Sequence, residues 1–319
     1  MAGEFDLIAR HFDWPAPPGT LGVGDDCALL PVAPGHRLAI TTDLLLEGRH
    51  FFSDVDPEAL GHKALAVNVS DLAAMGARPL GCVLGLSLPA IDDAWLERFA
   101  RGFRALSVAV GCPLVGGDTT RSQQGVVISV TAMGEVPDAA VLTRSAARAG
   151  DDIWVTGVLG APHMALELLQ GRHPGHHDLL GSLRPCLERP QPPVAFAAEL
   201  PGVAHAAIDI SDGLLQDLGH VLKASGCAAE IDYARLPVHP ALGNVEASVV
   251  QRAVLNGGDV YQLCFTASSD AATVIGALAA RHDIRASVVG RILPGDGIRV
   301  LNSPIPLGED GYSGFDHFG

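Results

Sequence analysis

The chain has 319 residues, enough for two ordinary domains or one large one with a sizeable core. Lys and Arg total 21 against 36 Asp and Glu, a formal charge of −15 that argues against an extended nucleic-acid surface and against an acidic membrane face. No apolar run approaches the roughly eighteen residues of a membrane span, and the acidic start Met1-Ala2-Gly3-Glu4-Phe5-Asp6 is unlike a signal peptide, so a cytoplasmic protein is expected.

In chain order, the first informative segment is Gly24-Asp25-Asp26-Cys27-Ala28, which suits a turn on local grounds and a hard cation on chemical ones. From Leu38 the residues Leu-Ala-Ile-Thr-Thr-Asp read as a strand that delivers Thr41, Thr42 and Asp43 at its C-terminal end. Pro57 opens a helix to about Met75, on which Asn68 and Asp71 share a face. The apolar neighbours Leu65, Val67, Val69 and Leu72 leave that helix little surface for solvent, so Asp71 needs a partner. Gly81 to Leu88 reads as a buried strand. Asp92 to Val110 reads as an amphipathic helix whose stripe of Trp95, Phe99 and Phe103 belongs to the core. Pro113 to Val115 forms a short strand running into Gly116-Gly117-Asp118-Thr119-Thr120, where backbone freedom, a carboxylate and two hydroxyls suit approach to phosphate and metal. Val126 to Gly134 is a further strand.

Composition shifts between Pro137 and Gly150, which marks a domain junction and divides the chain into 1–137 and 138–319. Arg144, in Leu142-Thr143-Arg144-Ser145, is either a surface arginine or a phosphate clamp. The second half reads as a strand at Ile153–Thr156, a helix near Met164–Leu169 and a His/Gly/Pro-rich loop from Gly171 to Asp178. A strand-turn-helix at Ala207–Ala224 follows, then a helix near Ala247–Leu255, a strand at Tyr261–Thr266, a helix at Ala271–Arg281 and a strand at Ala286–Gly290. In the turn, Asp209-Ile210-Ser211-Asp212-Gly213, Ser211 or Asp212 can cap the helix that follows and still serve a metal. Strands and helices mix in both halves, so the class is α/β or α+β.

Seven aspartates therefore sit in five short segments, while the only lysines are Lys63 and Lys223 and neither belongs to a phosphate loop. Oxygen donors of this kind select Mg²⁺, and an acidic, lysine-poor protein that handles polyphosphate must neutralise it with metal ions. Metal-dependent nucleotide chemistry is the expectation. His173, His176 and His177 have metal-like spacing but no cysteine beside them. The six cysteines, Cys27, Cys82, Cys112, Cys186, Cys227 and Cys264, form no C-x-x-C pair and are expected as reduced interior thiols rather than zinc ligands.

Taken together, the segments resemble the thiamine-monophosphate kinase family, within the superfamily of aminoimidazole ribonucleotide synthetase. The match runs from Gly3-Glu4-Phe5-Asp6-Leu7-Ile8 to Gly314-Phe315-Asp316-His317-Phe318 and is most specific at the acidic segments, at Asn68 to Ala77 and at Leu142-Thr143-Arg144-Ser145. The resemblance implies a two-domain synthetase-like fold. Its N-terminal domain pairs with a second copy to close a dimeric β-barrel, and a C-terminal α/β domain follows, with ATP and several Mg²⁺ ions between the domains. By position, Asp26, Thr41, Thr42, Asp43, Asp71, Asp118, Asp209 and Asp212 would hold metal. Gly117, Asp118, Arg144 and Ser211 would contact nucleotide; Asp71, Asp118, Asp212 and Arg144 would carry catalysis. His50, Asp259 and Phe315 would face thiamine monophosphate. Where the family usually has Gly-Gly-Glu-Asp-Tyr-Glu-Leu, this chain has Gly257-Gly258-Asp259-Val260-Tyr261-Gln262-Leu263, and Phe315 replaces a Tyr or Trp. The rival readings are another ATP-using enzyme of the superfamily and a non-catalytic nucleotide or metal binder. A selenophosphate-forming enzyme needs a reactive cysteine near its N-terminus, and none precedes Cys27.

Overall fold

A computed structural model describes residues 4–21, 23 and 27–306, in two compact units: residues 1–72 with 77–139, and residues 73–76 with 140–319. The first unit holds a four-stranded sheet of β1 (His36–Leu46), β2 (Arg78–Leu88), β3 (Leu114–Arg121) and β4 (Val127–Pro137), in the order β1-β4-β2-β3. β4 pairs antiparallel with both β1 and β2, and β2 pairs parallel with β3. The sheet is open, with β1 and β3 at its edges; no closed barrel is found among the described residues. α1 (Glu4–His11), α2 (Pro57–Ala74) and α3 (Asp93–Val110) complete the unit.

α2 is buried along most of its length, and its apolar residues are spread around the helix rather than gathered in one stripe. It crosses α3 backbone to backbone. A Cβ on Gly61 would lie 2.0 Å from the Phe99 carbonyl oxygen, and one on Gly102 would lie 1.8 Å from that of Glu58. α3 starts where the Asp92 carboxylate accepts the N–H groups of Ala94 and Trp95 at 3.0 and 3.1 Å, and ends at left-handed Gly111. The aromatic stripe is core as expected: Trp95 stacks on Phe99 at 5.1 Å between ring centroids, and Phe99 and Phe103 are wholly buried.

The second unit is a six-stranded sheet of β5 (Asp152–Thr156), β6 (Ala206–Asp209), β7 (Ala228–Asp232), β8 (Leu263–Ala267), β9 (Ala286–Leu293) and β10 (Ile298–Leu301), in the order β10-β7-β9-β5-β8-β6. Only β10 and β7 pair in parallel. α4 (Ala161–Leu169), α5 (Leu180–Glu188), α6 (Val194–Ala197), α7 (Leu214–Ser225), α8 (Ala247–Leu255) and α9 (Ala272–Arg281) accompany the sheet. Its main core gathers Ile153, Ile208, Leu214, Leu218, Val254 and Cys264, and a smaller cluster joins α4, α5 and α8.

Three of the boundaries that differ from the sequence reading bear on the site or its neighbours. β1 continues through Leu46, which puts Thr41, Thr42 and Asp43 in mid-strand rather than at its end. β3 runs through Gly116-Gly117-Asp118-Thr119-Thr120, because β2 pairs with that whole segment despite its turn-forming composition. β8 begins only at Leu263, since Asp259 and Tyr261 take left-handed φ values of 60° and 52° and cannot extend the strand. No helix among the described residues is long and apolar enough to cross a membrane.

Candidate active site

In the first unit, β1 and α2 bring together part of the expected acidic set. Alternation along β1 turns Thr41 and Asp43 inward, and the Thr41 hydroxyl donates to the Asp71 carboxylate on α2. Asn68, one turn before Asp71, accepts the Asp43 backbone N–H at 3.0 Å and donates to the Ala64 carbonyl at 3.1 Å. Burial, reinforced by the charge of Asp71, pushes the Asp43 carboxyl up to about 6. Two crowded carboxylates and a hydroxyl are an all-oxygen donor set, and a bound divalent cation would relieve their repulsion. The residues present thus fit Mg²⁺. Among the described residues, however, no group of three or more His, Cys, Asp or Glu side chains could hold a metal ion alone.

Two expected ligands stand elsewhere. Thr42 points to the opposite face of β1, where its hydroxyl donates to the Val130 carbonyl at 3.0 Å and accepts from the Thr131 hydroxyl at 3.0 Å. Asp118 is exposed on edge strand β3, level with Gly85, Ser129 and Leu44 across the sheet. That register puts it three strands from β1, about 14 Å along the sheet, and on the face of Leu44 rather than of Asp43. Strand alternation separates both residues from Asp71. Gly117 is a glycine for a local reason, since a Cβ there would lie 2.0 Å from the Leu84 carbonyl oxygen.

His50 lies in the turn after β1. Its Nδ1 accepts the Leu46 backbone N–H at 3.0 Å, so in the neutral ring the proton sits on Nε2. Asp26 and Phe315 lie outside the described residues. Cys27 is exposed, contrary to an interior thiol, whereas Cys82, Cys112, Cys227 and Cys264 are buried. The His-rich loop forms separate acid pairs rather than one metal set: His173 lies 3.4 Å from Glu167, and His176 lies 2.9 Å from Glu246.

In the second unit, β6 ends at buried Asp209 and the chain turns through Ser211, Asp212 and Gly213 into α7. The expected capping is reversed. Ser211, Asp212 and Gly213 donate their backbone N–H groups to the Asp217 carboxylate, at 3.1, 3.1 and 3.0 Å. Burial outweighs these bonds, and with the charge of Asp212 it pushes Asp217 up to about 7. The side chains of Ser211 and Asp212 remain partly exposed, with Gln216 donating to Asp212 at 3.3 Å. Sequence reasoning missed Asp217 because capping rules look at the residue before a helix, not four residues into it.

The segment Gly257–Gln262 is hydrogen-bonded to the same turn. Asp259 donates its N–H to the Ser211 carbonyl at 2.8 Å, Tyr261 to that of Ile210 at 2.8 Å, and Ile210 to that of Gln262 at 2.7 Å. The Tyr261 hydroxyl lies 3.4 Å from the Asp259 carboxylate, and Val260 is buried in the main core. Arg144 is exposed in a short 3₁₀ turn anchored by its own carbonyl, which accepts from the Ser225 hydroxyl at 2.8 Å. Its guanidinium has no carboxylate partner among the described residues and is available to an anion.

The family model of AIR synthase related protein matches residues 24–136 with its N-terminal domain and residues 148–301 with its C-terminal domain. The thiamine-monophosphate kinase of Escherichia coli K12 is 41% identical over 323 residues, covering 99% of this chain and 98% of the relative. A crystal structure of the thiamine-monophosphate kinase of Stenotrophomonas maltophilia K279a superposes with a TM-score of 0.83 at 41% identity, over 94% of this chain and 95% of the other. AaThiL complexed with AMPPCP and TMP superposes with a TM-score of 0.77 at 29% identity, over 98% and 96%.

Proposed function

The chain belongs to the AIR synthase related family and, within it, to the thiamine-monophosphate kinases, which are phosphotransferases; from that premise we propose that it transfers the γ-phosphoryl group of ATP in line to the phosphate of thiamine monophosphate. The products are thiamine diphosphate and ADP. The observation that carries the reading is the half-buried pair of Asp43 and Asp71 with the Thr41 hydroxyl, a set of like charges that has use for a cation. A relative with AMPPCP and TMP bound supports both substrates.

The acceptor is a phosphate oxygen already ionised near neutral pH, its second pKa being about 6, so no general base is required. The difficulty is repulsion between two polyanions. Asp43, Asp71 and Thr41, and in the second unit Asp209 and Asp212, would hold Mg²⁺, which when bound neutralises phosphate charge. Arg144 supplies a bidentate clamp for phosphate oxygens, and Ser211 a hydroxyl for the nucleotide. Nε2–H of His50 donates to the pyrimidine of the acceptor, and the Asp259 carboxylate accepts from its amino group. Asp26, Asp118, Gly117 and Phe315, the last as a face for stacking, keep only the support of the sequence resemblance.

The functional unit is proposed to be a homodimer. On the outer face of β1, Leu38, Ile40, Leu44 and Leu46 are 45%, 62%, 57% and 39% exposed, an apolar row that a second copy would cover in closing a barrel. Purified protein incubated with ATP, Mg²⁺ and thiamine monophosphate should yield thiamine diphosphate on chromatography. Asp71→Asn should lower kcat on the order of 10²-fold, as loss of a strong electrostatic stabiliser does. No thiamine diphosphate from a folded, ATP-binding protein would overturn the reading.

A further inference from the structure

The turn between β6 and α7 carries Ser211 and Asp212, yet no side chain of the turn itself caps the helix, whose N-cap is Gly213. Three consecutive N–H groups instead converge on one oxygen, Oδ2 of Asp217, at 3.0 to 3.1 Å. Successive amides aimed at one point form a nest for an anion, and here the chain supplies its own. Asp217 is 2% exposed, so the anion is internal. The opposite side of the turn is held by Asp259 and Tyr261, whose N–H groups reach the carbonyls of Ser211 and Ile210 at 2.8 Å. Gly258 fits against it without a side chain, since a Cβ there would lie 2.4 Å from the Ser211 carbonyl oxygen. Ser211 and Asp212 thus ride on a backbone fixed from both sides, on one of them by the Asp217 side chain.

We propose that Asp217 is a positioning residue of the phosphoryl-transfer reaction: it touches neither substrate, and its carboxylate holds the Ser211–Gly213 backbone so that the Ser211 hydroxyl and Asp212 carboxylate meet nucleotide and metal. This rests on the reading of Ser211 and Asp212 given above. Without the acceptor oxygen, three N–H groups, that of Gly213 buried, lose their partner and the turn rearranges to satisfy them. A displacement of about 1 Å is enough to cost on the order of 10²-fold in rate.

The test uses the full chain and reads kcat, the Mg²⁺ concentration for half-maximal activity, the KM values of both substrates and the melting temperature. Asp217→Ala should lower kcat on the order of 10-fold or more and raise the Mg²⁺ requirement several-fold, while KM for thiamine monophosphate stays within about twofold. Asp217→Asn keeps an oxygen in place and should recover most of the loss. Asp217→Glu, which moves the carboxylate by one methylene, should shift the Mg²⁺ requirement several-fold and serves if the alanine variant does not fold. A lowered melting temperature with kcat and Mg²⁺ requirement unchanged in the folded variants makes Asp217 merely structural and overturns the proposal. Asp212→Asn is measured alongside. If it shifts the Mg²⁺ requirement and the Asp217 variants do not, the proposal alone fails; if it shifts nothing, the assignment of the turn fails and the proposal with it.

Discussion

Asp43 shows how a single side chain can be costly to the fold and useful to the chemistry. With its carboxyl raised from an ordinary value near 3.8 to about 6, the folded chain holds a proton that the unfolded chain has released across that interval. Its contribution to stability is therefore intact below about pH 4 and is lost as pH rises through about 6. Metal-free protein should lose stability over this range relative to Asp43→Asn, and Mg²⁺ should stabilise the wild type more at pH 7 than at pH 5. Denaturant melts at several pH values measure both effects, and parallel pH profiles for the two proteins would refute them. Asp259 makes a different point. Its φ of 60° is one that Asp tolerates better than Glu, so the shorter residue suits this backbone. Asp259→Glu should lower KM for thiamine monophosphate a few-fold if about 1 kcal/mol of hydrogen bonding is gained, leave KM for ATP unchanged and slightly lower the melting temperature. Asp259→Ala should raise KM for the acceptor, and an alanine variant with that KM unaltered would remove Asp259 from the substrate contact.

At the scale of elements, the crossing of α2 and α3 sets a strict demand at two positions. Gly102→Ala places a methyl group 1.8 Å from the Glu58 carbonyl oxygen, so two helices must part, at a cost of about 2–3 kcal/mol that outweighs the gain in helix propensity. Gly219→Ala on α7 meets no atom within 4 Å and should instead stabilise its helix by up to about 1 kcal/mol. Urea melts of the two variants should move in opposite directions. Much of the fold was legible because these elements carry simple signals: α3 announces itself by Asp92 and its aromatic stripe, and β1 by the segment from Leu38 to Asp43. β7 was not, because Ala228-Ala229-Glu230 has little strand propensity and is extended only by pairing with β9 and β10. In the candidate site, Asp71 and Asp43 could be foreseen as neighbours in chemistry. That Thr42 and Asp118 face away could not be seen in a list of motifs, because side-chain direction depends on where a strand begins and ends.

For the whole molecule, the apolar row on β1 carries the clearest prediction. Ile40→Glu puts a charge in its middle and should convert a dimer to a monomer in sedimentation without unfolding the protein. A wild-type monomer would refute the dimer. The same sheet has a consequence for synthesis of the chain on the ribosome. β1 ends at Leu46 and its sole partner strand among the described residues is β4, which ends at Pro137. At about 5–20 residues per second, roughly 5 to 20 seconds pass before that partner exists, and throughout them β1 is a nascent strand with both edges bare and an apolar face turned to solvent. The interval is a window for chaperone capture or misassembly between neighbouring polysomes, and it is set by strand order alone.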